Sequence, residues 1–248
     1  MKIDRIFYVC FTGYPERAAR MERVAAKAAA ALGAPAERIW QTATPWNRWI
    51  LERAPHDPFM DRRPGCFGAT VGQYRAVRTA WELGSQGALL MEDDCRFRKG
   101  ADLRAALEGA PEADALMLDH FCDRGVDRAE NGAARNDRGG NAAAQDWLRA
   151  ERAASSACWA LSRDGMEKML RCYDAAATGE GPKAWRTVRN CDNWTDARLV
   201  PGLRIFVAAP NLAVQVPCPD GSSCGAGHMI GKYARMGIDL GDYDGYDE

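Results

Sequence analysis

Apolar residues along this chain fall into short, nearly unbroken runs, separated by longer stretches in which small and apolar residues recur every three or four positions. The first pattern suits strands buried on both faces of a sheet, and the second suits helices laid against it. Arg5-Ile6-Phe7-Tyr8-Val9-Cys10-Phe11 is β-branched and aromatic, and Thr12-Gly13-Tyr14-Pro15 closes it with a proline placed to begin a helix. Glu16 to Leu32 then puts Met21, Val24, Ala28 and Leu32 on one helical face, with Arg17, Arg20, Arg23 and Lys27 largely on another, before Gly33 stops it. Ala36 to Ala43 holds a second short strand. Gly65 to Gly84 returns to helix, with Ala69, Gly72, Ala76 and Ala80 small enough for close packing on a sheet. The apolar run Ala88-Leu89-Leu90-Met91 follows as a buried strand. After a loop and helix over Arg96 to Leu107, further strands are expected at Ala115 to Asp119, at Ser155 to Ser162 and at Arg204 to Ala208. Ser162 is placed to cap a helix from Arg163 to Ala177.

Three segments lack either pattern. Pro45, Pro55, Pro58 and Pro64, with Trp46, Trp49 and Phe59, describe an irregular aromatic stretch of a length usually reserved for function. Residues 123 to 146 hold almost no large apolar side chain and are expected to form a flexible insertion or lid. The acidic tail 237–248 is expected to fray. The organisation expected is a single α/β domain over 1–236, a mixed Rossmann-like sheet flanked by helices, interrupted by that insertion.

Composition adds exclusions. A formal net charge of -1 provides no general attraction for nucleic acid or anionic membrane. No apolar run approaches a membrane span, and the chain opens directly into a strand, so neither a membrane helix nor a removable leader is expected. The nine cysteines read as free thiols of a reducing cytoplasm. Cys218, Cys224 and His228 lack both the spacing and the fourth ligand of a zinc knuckle.

The chemistry concentrates where the run Ala88 to Met91 ends in Glu92-Asp93-Asp94. Three adjacent acids at the C-terminal edge of a buried strand repel one another unless a cation neutralises them, and in open α/β sheets that edge is where ligands bind. Mg²⁺ and Mn²⁺ take oxygen ligands, commonly one or two carboxylates with substrate phosphates. A strand end or helix cap is the alternative for such a triplet. No Gly-x-x-x-x-Gly-Lys-[Ser/Thr] exists in the chain, so the acids are not those of a P-loop ATPase.

Several of these pieces, in order, resemble glycosyltransferase family 25, the group that includes lipooligosaccharide and collagen galactosyltransferases. The resemblance runs from the first strand to about Gln215. It is carried by the Arg-rich helix start Glu16-Arg17-Ala18-Ala19-Arg20-Met21, by Gly68-Ala69-Thr70-Val71-Gly72-Gln73, and by Leu89-Leu90-Met91-Glu92-Asp93-Asp94. Ala157-Cys158-Trp159-Ala160-Leu161-Ser162-Arg163-Asp164-Gly165, Cys191-Asp192-Asn193-Trp194, and Pro210 with Gln215 complete it. Gln73 and Gly72 stand where the family has His and Ser.

The resemblance implies a GT-A fold and an inverting transfer of a hexose, such as galactose or glucose, from a UDP-sugar or similar donor to an acceptor hydroxyl, most naturally on a glycan or lipooligosaccharide. It implies Mn²⁺ or Mg²⁺ held by Asp94 first, with Asp93 second and His228 completing the shell. Phe7, Val9, Thr12, Arg17, Arg20, Gln73, Glu92 and Asp93 form the candidate nucleotide-sugar contacts. Asp192 is the candidate general base and Asp196, four residues on, the reserve. Two alternatives stay open: a GT-A-shaped protein that binds sugar nucleotide or glycan without transfer, and a transferase acting on modified nucleic acid through the Arg-rich segment 124 to 152.

Overall fold

The computed structural model describes residues 1–12, 14–41, 64–121, 145–155, 157–177, 197, 200–216 and 226–243, with the backbone alone for 64–67 and 226–229. The chain follows the alternation expected: β1 (Arg5–Phe11), α1 (Pro15–Leu32), β2 (Ala36–Gln41), α2 (Pro64–Glu82), β3 (Gly87–Glu92), β4 (Cys95–Phe97) and α3 (Leu103–Glu108). Then come β5 (Ala115–Met117), β6 (Asp146–Ala150), β7 (Cys158–Ser162), α4 (Arg163–Ala177), β8 (Ile205–Ala209), β9 (Ala213–Gln215), α5 (Ala226–Arg235) and a 3₁₀ turn at Leu240–Asp242.

Seven strands make one mixed sheet in the order β2-β1-β3-β7-β5-β8-β6. β1 runs parallel to β2 and β3, and β5 parallel to β8. β7 lies antiparallel between β3 and β5, and β6 antiparallel on the edge beside β8. The C-terminal ends of β1, β3, β5 and β8 therefore emerge on one edge. A two-stranded ribbon of β4 and β9 stands at that edge.

Two apolar layers sandwich the sheet, which is why β1 and β3 read as continuous runs. On one face Phe7, Val9, Leu90, Met117 and Trp159 pack with Val71 and Val77 of α2 and Met166 and Met169 of α4. On the other, Ile6, Tyr8, Leu89, Met91 and Leu116 pack with Met21 and Ala25 of α1 and Leu103 and Leu107 of α3. Local signals fix the helix ends. Pro15 opens α1, and Gly33, at φ 66°, closes it by donating its N–H to Ala29 O at 2.8 Å. Asp102 caps α3 by accepting from Ala105 N at 2.9 Å, and Ser162 caps α4 by accepting from Gly165 N at 3.1 Å. Gly165 also lets α4 lie against β5, because a Cβ there would meet Asp114 O at 2.2 Å.

Some expectations are corrected. The basic face of α1 is not wholly solvated: Arg17 is 5% exposed and turned inward. A helix not foreseen in the sequence, α5, begins at Ala226 and includes His228. Within the tail, Leu240 and Tyr243 join Val214, Val216 and Tyr233 in a third apolar cluster. Two very short strands, β4 and β9, and the edge strand β6 were not expected. Residues 122–144, where the insertion was expected, lie outside the described residues. Cys10, Cys95 and Cys158 are free thiols, as the sequence suggested. Among the described residues no helix is long and apolar enough to cross a membrane.

Candidate functional site

β3 delivers its acids to the sheet edge as expected, and the structure then gives each a different environment. Glu92 ends the strand half-buried, and Asp93 and Asp94 turn away from it at 5% and 4% exposure. Asp93 Oδ2 accepts from the N–H of Phe11 at 2.9 Å, and Asp93 Oδ1 lies 3.5 Å from Arg17 Nη1. The Arg17 guanidinium lies over the Tyr14 ring, 4.5 Å from its centroid, and Tyr14 stacks on Phe11. Asp93 thus fastens the end of β1 and the first turn of α1 to the end of β3. Burial raises the Asp93 carboxyl above its ordinary pKa, against the opposing pull of the Phe11 N–H, Arg17 and Arg20.

Asp94 is left with less. Its Oδ2 accepts from Gln215 Nε2 at 2.8 Å, while Oδ1 is buried without a hydrogen-bond partner among the described residues. Burial, reinforced by the charges of Glu92 and Asp93, pushes its pKa well above the carboxylate range; the Gln215 hydrogen bond and Arg17 oppose this only in part. A buried acceptor lacking a donor costs about 1–3 kcal/mol, more when charged. Glu92 Oε1 accepts from Gln73 Nε2 at 3.2 Å, and Gln73 Oε1 accepts from Trp159 Nε1 at 3.3 Å.

A second buried acid, which sequence reasoning did not single out, lies at the same edge. Asp119, two residues beyond β5, is 0% exposed. Its Oδ2 accepts from Ser155 Oγ at 2.5 Å, and its Oδ1 from Asn211 Nδ2 and Tyr233 Oη, both at 3.0 Å. Ser155 holds φ 112°, a strained conformation for a residue with a side chain, and such strain persists where the surroundings over-determine it. His120, beside Asp119, has its pKa lowered by burial, and its Nε2 lies 2.9 Å from Ala208 O. The run Leu116-Met117-Leu118-Asp119 carried the same signature as the acidic triplet, an apolar strand ending in a carboxylate. Tyr233 carried none, because α5 was not foreseen.

The structure therefore brings together Arg17, Gln73, Glu92, Asp93 and Asp94, with Arg20 close enough for its charge to act on Asp93. Thr12 is exposed just past the end of β1. Strand alternation sends the side chains of Phe7 and Val9 into the layer beneath α2 and α4, at 0% and 1% exposure. Gln73, at 0%, supports Glu92 from within. Asp192 and Asp196 lie outside the described residues, and of His228 only the backbone, in the first turn of α5, is described.

No protein-family model matches the chain, and no curated protein matches it. Among solved structures it is similar to a glycosyltransferase involved in the glycosylation of the major capsid of PBCV-1, at 11% identity and a TM-score of 0.44, covering 92% of this chain and 98% of that one. It is also similar to mannose-1-phosphate geranyltransferase from Thermus thermophilus, at 12% identity and a TM-score of 0.37, covering 84% and 74% respectively. Similarity at this distance assigns neither substrate nor reaction.

The site's own residues limit its chemistry. Among the described residues no three His, Cys, Asp or Glu side chains converge into a complete metal cage. Asp93 is engaged by Arg17 and Phe11, and Glu92 Oε1 by Gln73, whereas Asp94 Oδ1 is buried with no hydrogen-bond partner among the described residues. An oxygen donor with acids for neighbours fits a hard divalent cation that takes most of its shell from phosphate and water.

Proposed function

We propose that this protein is a metal-dependent glycosyltransferase that moves a hexose from a nucleoside-diphosphate sugar to an acceptor hydroxyl. The observation that carries this reading is Asp94: a buried carboxylate at the C-terminal edge of a parallel run of strands, beside two further acids, with one oxygen lacking a partner among the described residues. Mn²⁺ or Mg²⁺ held there by Asp94, with Asp93 or Glu92 as the second choice, supplies positive charge to the diphosphate as it leaves the anomeric carbon.

The chain's own residues do the rest. Gln215 donates to Asp94 Oδ2 and so occupies that oxygen, leaving the buried Oδ1 for the cation in this reading. Arg17 balances Asp93, so the three acids do not stand as three uncompensated charges. Arg20, one turn further along α1, and Thr12, exposed beyond β1, are the groups on this edge suited to phosphate or sugar oxygens. Inversion needs a carboxylate on the face opposite the leaving group to take the acceptor's proton. In this reading Asp192 takes that role, with Asp196 in reserve. Galactose or glucose from a UDP-sugar, and a glycan acceptor, are the substrates proposed.

The test is hydrolysis and transfer across a panel of sugar nucleotides with Mn²⁺, comparing wild type with Asp94→Ala. Turnover of one donor, abolished by chelation and reduced by about 10²–10³ in Asp94→Ala, supports the reading. A donor that binds in a metal- and Asp94-dependent way yet is never turned over with any acceptor would favour a binding protein. Donor turnover indifferent to both metal and Asp94 sinks the proposal.

A further inference from the structure

Between the two buried acids of this edge runs a continuous chain of hydrogen bonds, one member of which comes from α5, beyond the stretch that suggested a function. Tyr233 is 0% exposed, and its ring lies 4.8 Å from that of Phe121. Its hydroxyl donates to Asp119 Oδ1 at 3.0 Å and accepts from the backbone N–H of Gln215 at 2.6 Å. The side chain of that same Gln215 donates to Asp94 Oδ2 at 2.8 Å. The next backbone N–H, of Val216, donates to Asp94 O at 2.8 Å, so residues 215 and 216 grip Asp94 at both its side chain and its main chain.

We propose that Tyr233 is a positioning residue for Asp94: by fixing the Gln215 backbone against Asp119 it holds the Gln215 amide on Asp94 Oδ2 and reserves Oδ1 for the ligand. The assignment deepens the metal-dependent reading above and rests on it. The physical argument is one of satisfied and unsatisfied groups. Asp119 has donors on both oxygens, the Tyr233 hydroxyl is used as donor and as acceptor, and Gln215 is engaged at backbone and side chain. The chain ends at Asp94 Oδ1, which has no partner among the described residues. Asn211 Oδ1, beside Asp119 and off this path, is also buried without a partner among the described residues. Along the path itself, from Asp119 through Tyr233 to Gln215, each contact is made. Such a path fixes the direction of the acceptor at its end, as outer hydrogen-bond partners do for metal ligands. Burial, and then the Asp119 charge, keep the Tyr233 phenol protonated throughout the working pH range, so the donor is always present.

Two readouts on the full chain test this. Protein labelled with ¹⁵N-glutamine, its Gln215 side-chain amide signal assigned with Gln215→Leu, reports the contact with Asp94 directly. Tyr233→Phe is expected to shift that signal toward the position it takes in Asp94→Asn. The same variants are titrated with Mn²⁺ in the presence of UDP, followed by loss of the free-ion electron paramagnetic resonance signal. Tyr233→Phe is expected to weaken Mn²⁺ by about tenfold, and adding it to Gln215→Leu to weaken it no further, the signature of two residues acting through one path. Asp119→Asn, which keeps the tyrosine, should reproduce part of the loss. Ile230→Ala, 42% exposed on the same helix, should leave both readouts unchanged. An unmoved Gln215 amide in Tyr233→Phe overturns the positioning role, as do additive losses of Mn²⁺ affinity in the double variant. Wild type that takes up no Mn²⁺ overturns the metal-dependent reading instead, while the amide signal still decides the role of Tyr233.

Discussion

The two ends of the sheet bury their carboxylates in opposite ways. At the N-terminal end of β5, the Asp114 side chain is fully buried with donors on both oxygens: Lys168 Nζ and Arg204 N donate to Oδ2, each at 2.7 Å, and Arg204 Nη2 reaches Oδ1 at 3.5 Å. Burial alone would raise its pKa, but these partners together hold it below the usual carboxylate value. At the C-terminal end, Asp94 has one hydrogen bond and two acidic neighbours, and its pKa is driven up. The same residue type at similar depth serves opposite ends. Asp114, which fastens helix to strand, has donors on both oxygens, whereas Asp94, in the proposed reading kept for a ligand, has a donor on one, which costs stability in the ligand-free protein.

The contrast is broken most severely at the functional end. Asp94→Asn keeps the shape and removes the charge; transfer with the donor identified should fall by about 10²–10³, read as kcat/KM, while Asp114→Asn leaves it within about threefold. Comparable losses in both variants would mean that Asp94 is merely structural.

Stability should respond in the reverse order. Asp114→Asn weakens the contacts with Lys168 and Arg204, partners that are partly solvated, and should cost about 1–2 kcal/mol by urea unfolding. For a chain of this size that is about 2–8 °C in Tm. The sign with pH follows from the depressed pKa of Asp114. Its contribution is complete above the unfolded value of about 4 and is lost as pH falls through the lower folded value, so wild type and Asp114→Asn should converge below about pH 4. A gap that widens on acidification would contradict the assignment.

The smallest effect expected is the most diagnostic of a site held under tension. In metal-free protein at neutral pH, Asp94→Asn should unfold no earlier than wild type, and up to about 4 °C later, because it relieves a buried charge crowded by Glu92 and Asp93. Calorimetry decides this, and a lowered Tm would show that the carboxylate is structurally satisfied.

One half of this contrast, the acids after β3, was legible in the sequence through periodicity, whereas Asp114 was not singled out. β1 and β3 are buried on both faces and so read as unbroken apolar runs. The close of α1 was written in Gly33. The acids announced themselves because three adjacent carboxylates at the end of a buried run repel one another, although a strand end or helix cap remained the alternative. What escaped was what depends on partners distant in sequence. β4 and β9 are three residues each, too short to show an alternation. α5 was obscured by Gly225 and Gly227, since its helix is stabilised by the docking of Tyr233 and not by propensity. The inward turn of Arg17 follows from the place where Asp93 lies, which no helical wheel contains. That the side chains of Phe7 and Val9 face the core was readable from strand alternation.

The most direct measurement is anomalous diffraction at the manganese edge from crystals grown with Mn²⁺ and UDP. A single strong peak at coordination distance from Asp94 Oδ1, with diphosphate oxygens completing the shell, is the result predicted. A nucleotide bound with its diphosphate away from Glu92-Asp93-Asp94, or manganese bound to other side chains, would contradict the account.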